Sequence, residues 1–121
     1  MCKKSLTLAI TAALGLVLAA PGLQAASSSL SATVTRVLVT NDGTYGGCMV
    51  GLSVNPAAML ATCGNNYVSF GCSNVNGDQI SAYRMLDQAQ LALAAKKNVN
   101  VVFSDATKYN GYCLATRIDV Y

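Results

Sequence analysis

The sequence predicts a mainly-β domain with one helix, behind an export signal. Three observations lead there. Five short segments are rich in Val, Thr, Ile, Tyr or Phe, and several alternate apolar with polar residues as strands do. One segment, residues 79–97, carries Leu, Gln and Ala, with no β-branched residue between Leu86 and Ala95. Once the leader is set aside four cysteines remain, and an even count in a short exported chain reads as two disulfides.

The leader comes first. Lys3 and Lys4 precede the apolar run "SLTLAITAALGLVLAA", Pro21 and Gly22 break it, and "LQAA" offers small residues for cleavage. Residues 1–25 are therefore expected to be a secretory signal peptide cut after Ala25. The alternative is an uncleaved anchor, because the run is close to the minimum spanning length. Cys2 lies ahead of the run and leaves with it. Residues 26–121 then form one domain, secreted or periplasmic, with no further run long enough to span a bilayer. The net charge is +3, and Lys3 and Lys4 supply two of those charges. The mature chain is nearly neutral, which argues against a nucleic-acid surface.

The segment "ASSSLSA" reads as a loose lead-in, and "TVTRVLVT" (33–40) as the first strand. "NDGTYGG" is turn chemistry. "CMVGLSV" (48–54) is the second strand, with Cys48, Val50, Leu52 and Val54 on one face. "NPAAML" opens a connection, and "YVSFGC" (67–72) is the third strand. The helix follows over 79–97, capped by Asp78, with Lys96 and Lys97 in its last turn. Ala82, Leu86, Ala89 and Leu93 make its core stripe. Leu91 and Ala94 are apolar outside that stripe, so the helix is either buried within its own domain or packed on a second face against a neighbouring subunit. "NVNVVFSD" (98–105) is the fourth strand, an Asn-Gly turn follows, and "CLATRIDVY" (113–121) is the fifth. The order β-β-β-α-β-β is that of a small OB-like five-stranded Greek-key barrel, with a plain α+β sandwich as the alternative.

The cysteines are Cys48, Cys63, Cys72 and Cys113. A zinc ribbon needs pairs two to four residues apart, which are lacking, so disulfides are favoured, and three pairings are open.

Catalytic chemistry is not evident. There is no His, which removes Ser-His and Cys-His pairs. The acids outside the leader are Asp42, Asp78, Asp87, Asp105 and Asp119, at turns and strand ends. A hydrolase built on an Asp105 and Asp119 pair is a third alternative. "GTYGG" lacks the Lys and spacing of a phosphate loop, and no CxxC is present. No enzyme, metal or cofactor is expected. Six tyrosines and no Trp, with Tyr45, Tyr67, Tyr109 and Tyr112 in loop-like stretches, suit a polar ligand.

"CMVGLSVNPAAMLATC" and "AQLALAAKKNVNVVFSD", set behind a signal peptide, resemble the receptor-binding B subunits of bacterial AB-type toxins, in particular the subtilase cytotoxin and pertussis-like group. The resemblance covers most of the mature chain. It implies the pairing Cys48–Cys63 and Cys72–Cys113. It implies a homo-oligomer, a ring of five subunits with helices around a pore, an A-type toxin partner, and a sialylated cell-surface glycan as ligand. Ser31 falls near a family serine that contacts the sugar carboxylate, and Phe103 where the family has a sugar-contacting Tyr. The expected function is a secreted, non-catalytic glycan-binding subunit. The alternative is an exported structural or protein-interaction domain without a glycan site.

Overall fold

The computed structural model describes residues 24–73 and 78–121. The expected leader, apart from Gln24 and Ala25, lies outside the described residues, as do residues 74–77 of the loop ahead of the long helix. Along the chain the elements are β1 (Ser27–Val39), β2 (Cys48–Leu52), α1 (Pro56–Met59), β3 (Tyr67–Ser69), α2 (Gln79–Ala95), β4 (Asn98–Tyr109) and β5 (Tyr112–Val120). The five strands close into a barrel in the order β1-β2-β3-β5-β4. β3 and β5 run parallel, and every other pair is antiparallel. No helix among the described residues is long and apolar enough to cross a membrane.

β1 is longer than its sequence suggests. The serine-rich stretch expected to be a lead-in is strand, pairing with β4 from Ser27↔Ser104 to Thr33↔Asn98. Beyond it, β1 pairs with β2. Local propensity for Ser is low, but the long β4 needs a partner on this side, and an unpaired edge would leave its backbone groups open. Leu30, Ala32 and Val34 alternate into the interior. An irregularity between Val34 and Arg36 then shifts the alternation. Val37 packs against the core, while Arg36 is exposed.

The barrel is filled by Val50, Val68, Val99, Val101, Phe103 and Cys113, all fully buried. α2 lays Ala82, Leu86, Ala89 and Ala92 against it. Leu93, expected in this stripe, is instead 39% exposed. A 3.6-residue period allows either a three- or a four-residue step after Ala89, and the three-residue step puts the smaller Ala92 at the close approach to the sheet. Leu91 is 54% exposed, opposite the core face. Asp78 Oδ1 accepts from the Ile80 N–H, capping the helix as expected. The helix stops two residues early, because Lys96 adopts φ 53° as a left-handed cap. Lys96 and Lys97 therefore lie past its last turn.

α1 was not foreseen in the "NPAAML" connection, although its signals are plain. Asn55 caps the Ala57 N–H and Pro56 holds the first turn. At the other hairpin, Asn110 (φ 50°) and Gly111 (φ 85°) form the two-residue turn that their sequence predicts.

The disulfides correct the expected pairing. They are Cys48–Cys72 and Cys63–Cys113, with Cα–Cα distances of 5.5 and 5.2 Å. Strand register explains the first. Met49 pairs with Ser69, so the Phe70 N–H donates to the Cys48 carbonyl at 3.0 Å, and the chain returns Cys72 beside Cys48. Cys63 is carried elsewhere by the connection after α1. Its neighbour Gly64 donates to the Gly111 carbonyl at 2.9 Å, which holds Cys63 beside the start of β5 and Cys113.

Candidate functional site

The outer wall of the barrel carries one apolar residue that is almost completely covered. Met49 is only 2% exposed, yet it alternates with the inward Cys48 and Val50 and stands outside the barrel core. Together with Arg36, Leu38, Tyr45, Tyr67 and Tyr112 it lines a cleft with a volume of about 200 Å³. That is below the roughly 300 Å³ at which drug-sized pockets begin, so the cleft suits a group of one ring.

Three separate pieces of chain bring the tyrosines together. Tyr45 comes from the β1–β2 turn, Tyr67 opens β3 and Tyr112 opens β5. Tyr112 is the hub. Its ring centroid lies 5.9 Å from that of Tyr45 and 6.1 Å from that of Tyr67, both edge to face. Two glycines seat these rings. A Cβ on Gly51 would stand 3.0 Å from Tyr67 Cε1, and one on Gly64 2.6 Å from Tyr112 Cδ1. Gly51 is thus the missing side chain on β2 over which Tyr67 lies. The Tyr45 turn is pinned from beneath by the fully buried Ser69, whose hydroxyl donates to the Tyr45 carbonyl at 2.8 Å and accepts from the Gly71 N–H at 3.1 Å.

The chemistry on offer is ring faces, phenol hydroxyls and one guanidinium. The three tyrosines are half-buried, and among the described residues their hydroxyls make no hydrogen bond and Arg36 makes no ion pair. This set can stack on the apolar face of a ring and bond to hydroxyls at its rim. The other tyrosines do not join it. Tyr109 is 6% exposed within the protein, Tyr83 lies on α2, and Tyr121 follows β5.

The two residues singled out by resemblance are not brought together. Ser31 is exposed on β1, with its Oγ 3.5 Å from Asn100 Oδ1. Phe103, on β4, is fully buried in the barrel core and presents no ring face at the surface.

The acids are tied into local structure. Asp105 accepts from Thr62 Oγ1 at 2.7 Å and from the Ala26 N–H at 2.7 Å. The Thr62 hydroxyl, and next the Ala26 amide, hold its carboxyl below the ordinary value of 3.8. Asp78 is lowered likewise, first by the Ser81 hydroxyl and then by the Ile80 amide. Asp119 pairs with Arg117 at 2.9 Å. Asp119 stands opposite Asn100, so Asp105 is five residues further along β4, roughly 16 Å away at ~3.3 Å per residue. Among the described residues no group of three or more His, Cys, Asp or Glu could hold a metal ion.

Two other hollows lack a cluster of aromatic rings. One of about 330 Å³ lies between the β1–β2 turn and the start of α2. Another of about 290 Å³ lies between α2 and β5, lined by Met85, Ile118, Arg84 and Arg117. Arg117 there is already engaged by Asp119.

No family model matches the sequence, and no curated protein or solved structure matches it.

Proposed function

We propose that the protein is a secreted, non-catalytic B-type binding subunit of a bacterial toxin-like assembly, and that its cleft of Tyr45, Tyr67 and Tyr112 receives one sugar ring of a cell-surface glycan. The observation that carries the ligand reading is the cleft itself. Three half-buried aromatic rings converge on one apolar floor with a guanidinium at the rim. A sugar ring has apolar C–H faces for stacking and hydroxyls at its edge, which is the complement of this surface. Phe103 is too buried for the contact that the resemblance implies, and the cleft takes over that role.

The strand order, the parallel β3–β5 pair and a helix between β3 and β4 support the OB-like Greek-key reading, a barrel used repeatedly for ligand binding. Two disulfides and the leader-like first residues support export. The exposed Leu91, Ile80 and Tyr83 of α2 support a homo-oligomer in which helices face one another, as in the five-subunit rings of the toxin family. An A-type toxin subunit would be the partner of that ring.

A glycan array tests the ligand reading. The oxidised mature protein is expected to bind a restricted set of glycans, and Tyr112→Ala to weaken every hit at least about tenfold, or about 1.4 kcal/mol. Hits that survive Tyr112→Ala at full strength would place the ligand elsewhere. The second reading, an exported protein-interaction domain without a glycan site, is favoured by the same apolar helix face. It predicts an empty array, with binding to a protein partner lost on Leu91→Ser.

A further inference from the structure

The first described strand is anchored in an unusual way. The Asp105 N–H donates to the Ala26 carbonyl at 3.1 Å, which is half of an antiparallel pair. The other half would run from the Ala26 N–H to the main-chain carbonyl of Asp105. It runs instead to the Asp105 carboxylate, Oδ1, at 2.7 Å. The second carboxylate oxygen is held by Thr62 Oγ1 at 2.7 Å, and Ser104 Oγ donates to the Ala26 carbonyl at 3.1 Å. A negative group is thus locked onto one backbone nitrogen. Ala25, on the other side of that nitrogen, is exposed, beside a hollow of about 310 Å³ lined by Gln24, Ala25, Asp105 and Ala106. The Ala25–Ala26 bond is the one at which the leader is expected to be cut.

We propose that Asp105 is the seat of a free N-terminus, which signal cleavage creates at Ala26. The inference rests on the export reading. A signal-cleaving peptidase hydrolyses the Ala25–Ala26 bond. Water adds its oxygen to the Ala25 carbonyl carbon, the C–N bond breaks, and the Ala25 carboxyl leaves with the leader as a carboxylate. The released Ala26 nitrogen takes up protons and becomes an α-ammonium. The neutral amide that bonds the Asp105 carboxylate becomes a cationic donor, so a hydrogen bond with charge on one side becomes an ion pair with charge on both. β1 would then begin with a charge pair that clamps it to β4 and to the connection carrying Thr62. The charged groups facing the site are Asp105 and Lys108, whose ammonium donates to the Thr62 carbonyl at 3.3 Å and also lowers the Asp105 carboxyl. Attraction by Asp105 raises the pKa of the α-amine, and Lys108 opposes part of that rise.

The test uses the full chain expressed in an exporting bacterium. Intact mass identifies the first residue, and ¹³C reductive methylation with NMR titration then reads the α-amine pKa. A chain starting at Ala26, with an α-amine at least about 0.5 pH units above the ordinary range of about 7.7–8.0, supports the proposal. Asp105→Asn is expected to return it to that range. A chain with one extra Ala ahead of Ala26 keeps every native side chain, and its displaced amine is expected to titrate normally. An ordinary α-amine in the native protein, or one unmoved in both variants, overturns the clamp and leaves export intact. A mass showing no cut, or a cut elsewhere, overturns the export reading at this bond and the clamp together.

Discussion

Removing the Cys63–Cys113 disulfide should cost this domain much of its stability. The bridge joins residues 50 apart. On the chain-entropy model a loop of that length contributes about 4.1 kcal/mol, and the 24-residue Cys48–Cys72 loop about 3.4 kcal/mol. Domains of this size have about 5–15 kcal/mol in total. At about 4–8 °C per kcal/mol, the double variant Cys63→Ala/Cys113→Ala should melt roughly 15–30 °C lower than the native protein. The bridge also holds Gly64 under the Tyr112 ring, so the tyrosine cleft should loosen with it. Thermal unfolding followed by circular dichroism gives the shift, and peptide mapping under non-reducing conditions gives the connectivity. A peptide joining Cys48 to Cys63, or a double variant within about 4 °C of native, would refute the reasoning.

Three further outcomes follow from the same geometry. Gly51→Val should drive Tyr67 off the β2 surface and weaken glycan binding without removing any ring, and a surface-plasmon titration against an array hit would show it. Leu86→Ala, in the core face of α2, should cost about 2–5 kcal/mol in urea unfolding; Leu91→Ala on the exposed face should stay within about 0.5 kcal/mol for a monomer and lower the oligomer mass by light scattering if that face is an interface. Asp78 and Asp105 both have carboxyls below their ordinary value of 3.8, so their contribution to stability is complete above that value and is lost as the pH falls through their folded values. Melting curves should therefore be flat from neutral pH down to about 5 and fall below about 4, with a shallower fall in Asp105→Asn.

Most elements that carry a local signal were legible in the sequence; α1, whose Asn55 cap and Pro56 start are local signals, is the exception. Five strands and the long helix appear where β-branched alternation and the Leu, Gln and Ala run place them, and Asp78 caps where it should. The other main misses are tertiary. Ser27–Val39 becomes one long strand because β4 needs a partner, which no property of "ASSSLSA" announces. The disulfides follow from strand register and from the return of the α1 connection to β5, neither of which cysteine spacing encodes. Leu93 and Ala92 exchange places on a period that allows both. The tyrosine cleft draws on residues 36 to 112, so no window contains it. Its signals were indirect: tyrosine-rich composition without Trp, and the lone Gly51 inside an apolar strand, which marks a close approach. Phe103 illustrates the opposite error, since an aromatic assigned by resemblance to a ligand lies in the core.

The most direct test is to label the tyrosine rings with ¹³C and titrate an array-positive glycan into the oxidised mature protein by NMR. The ring signals of Tyr45, Tyr67 and Tyr112 should shift together with one dissociation constant, while those of the buried Tyr109 and the distant Tyr121 stay still. A glycan that binds while the three cleft tyrosines do not move would contradict the account.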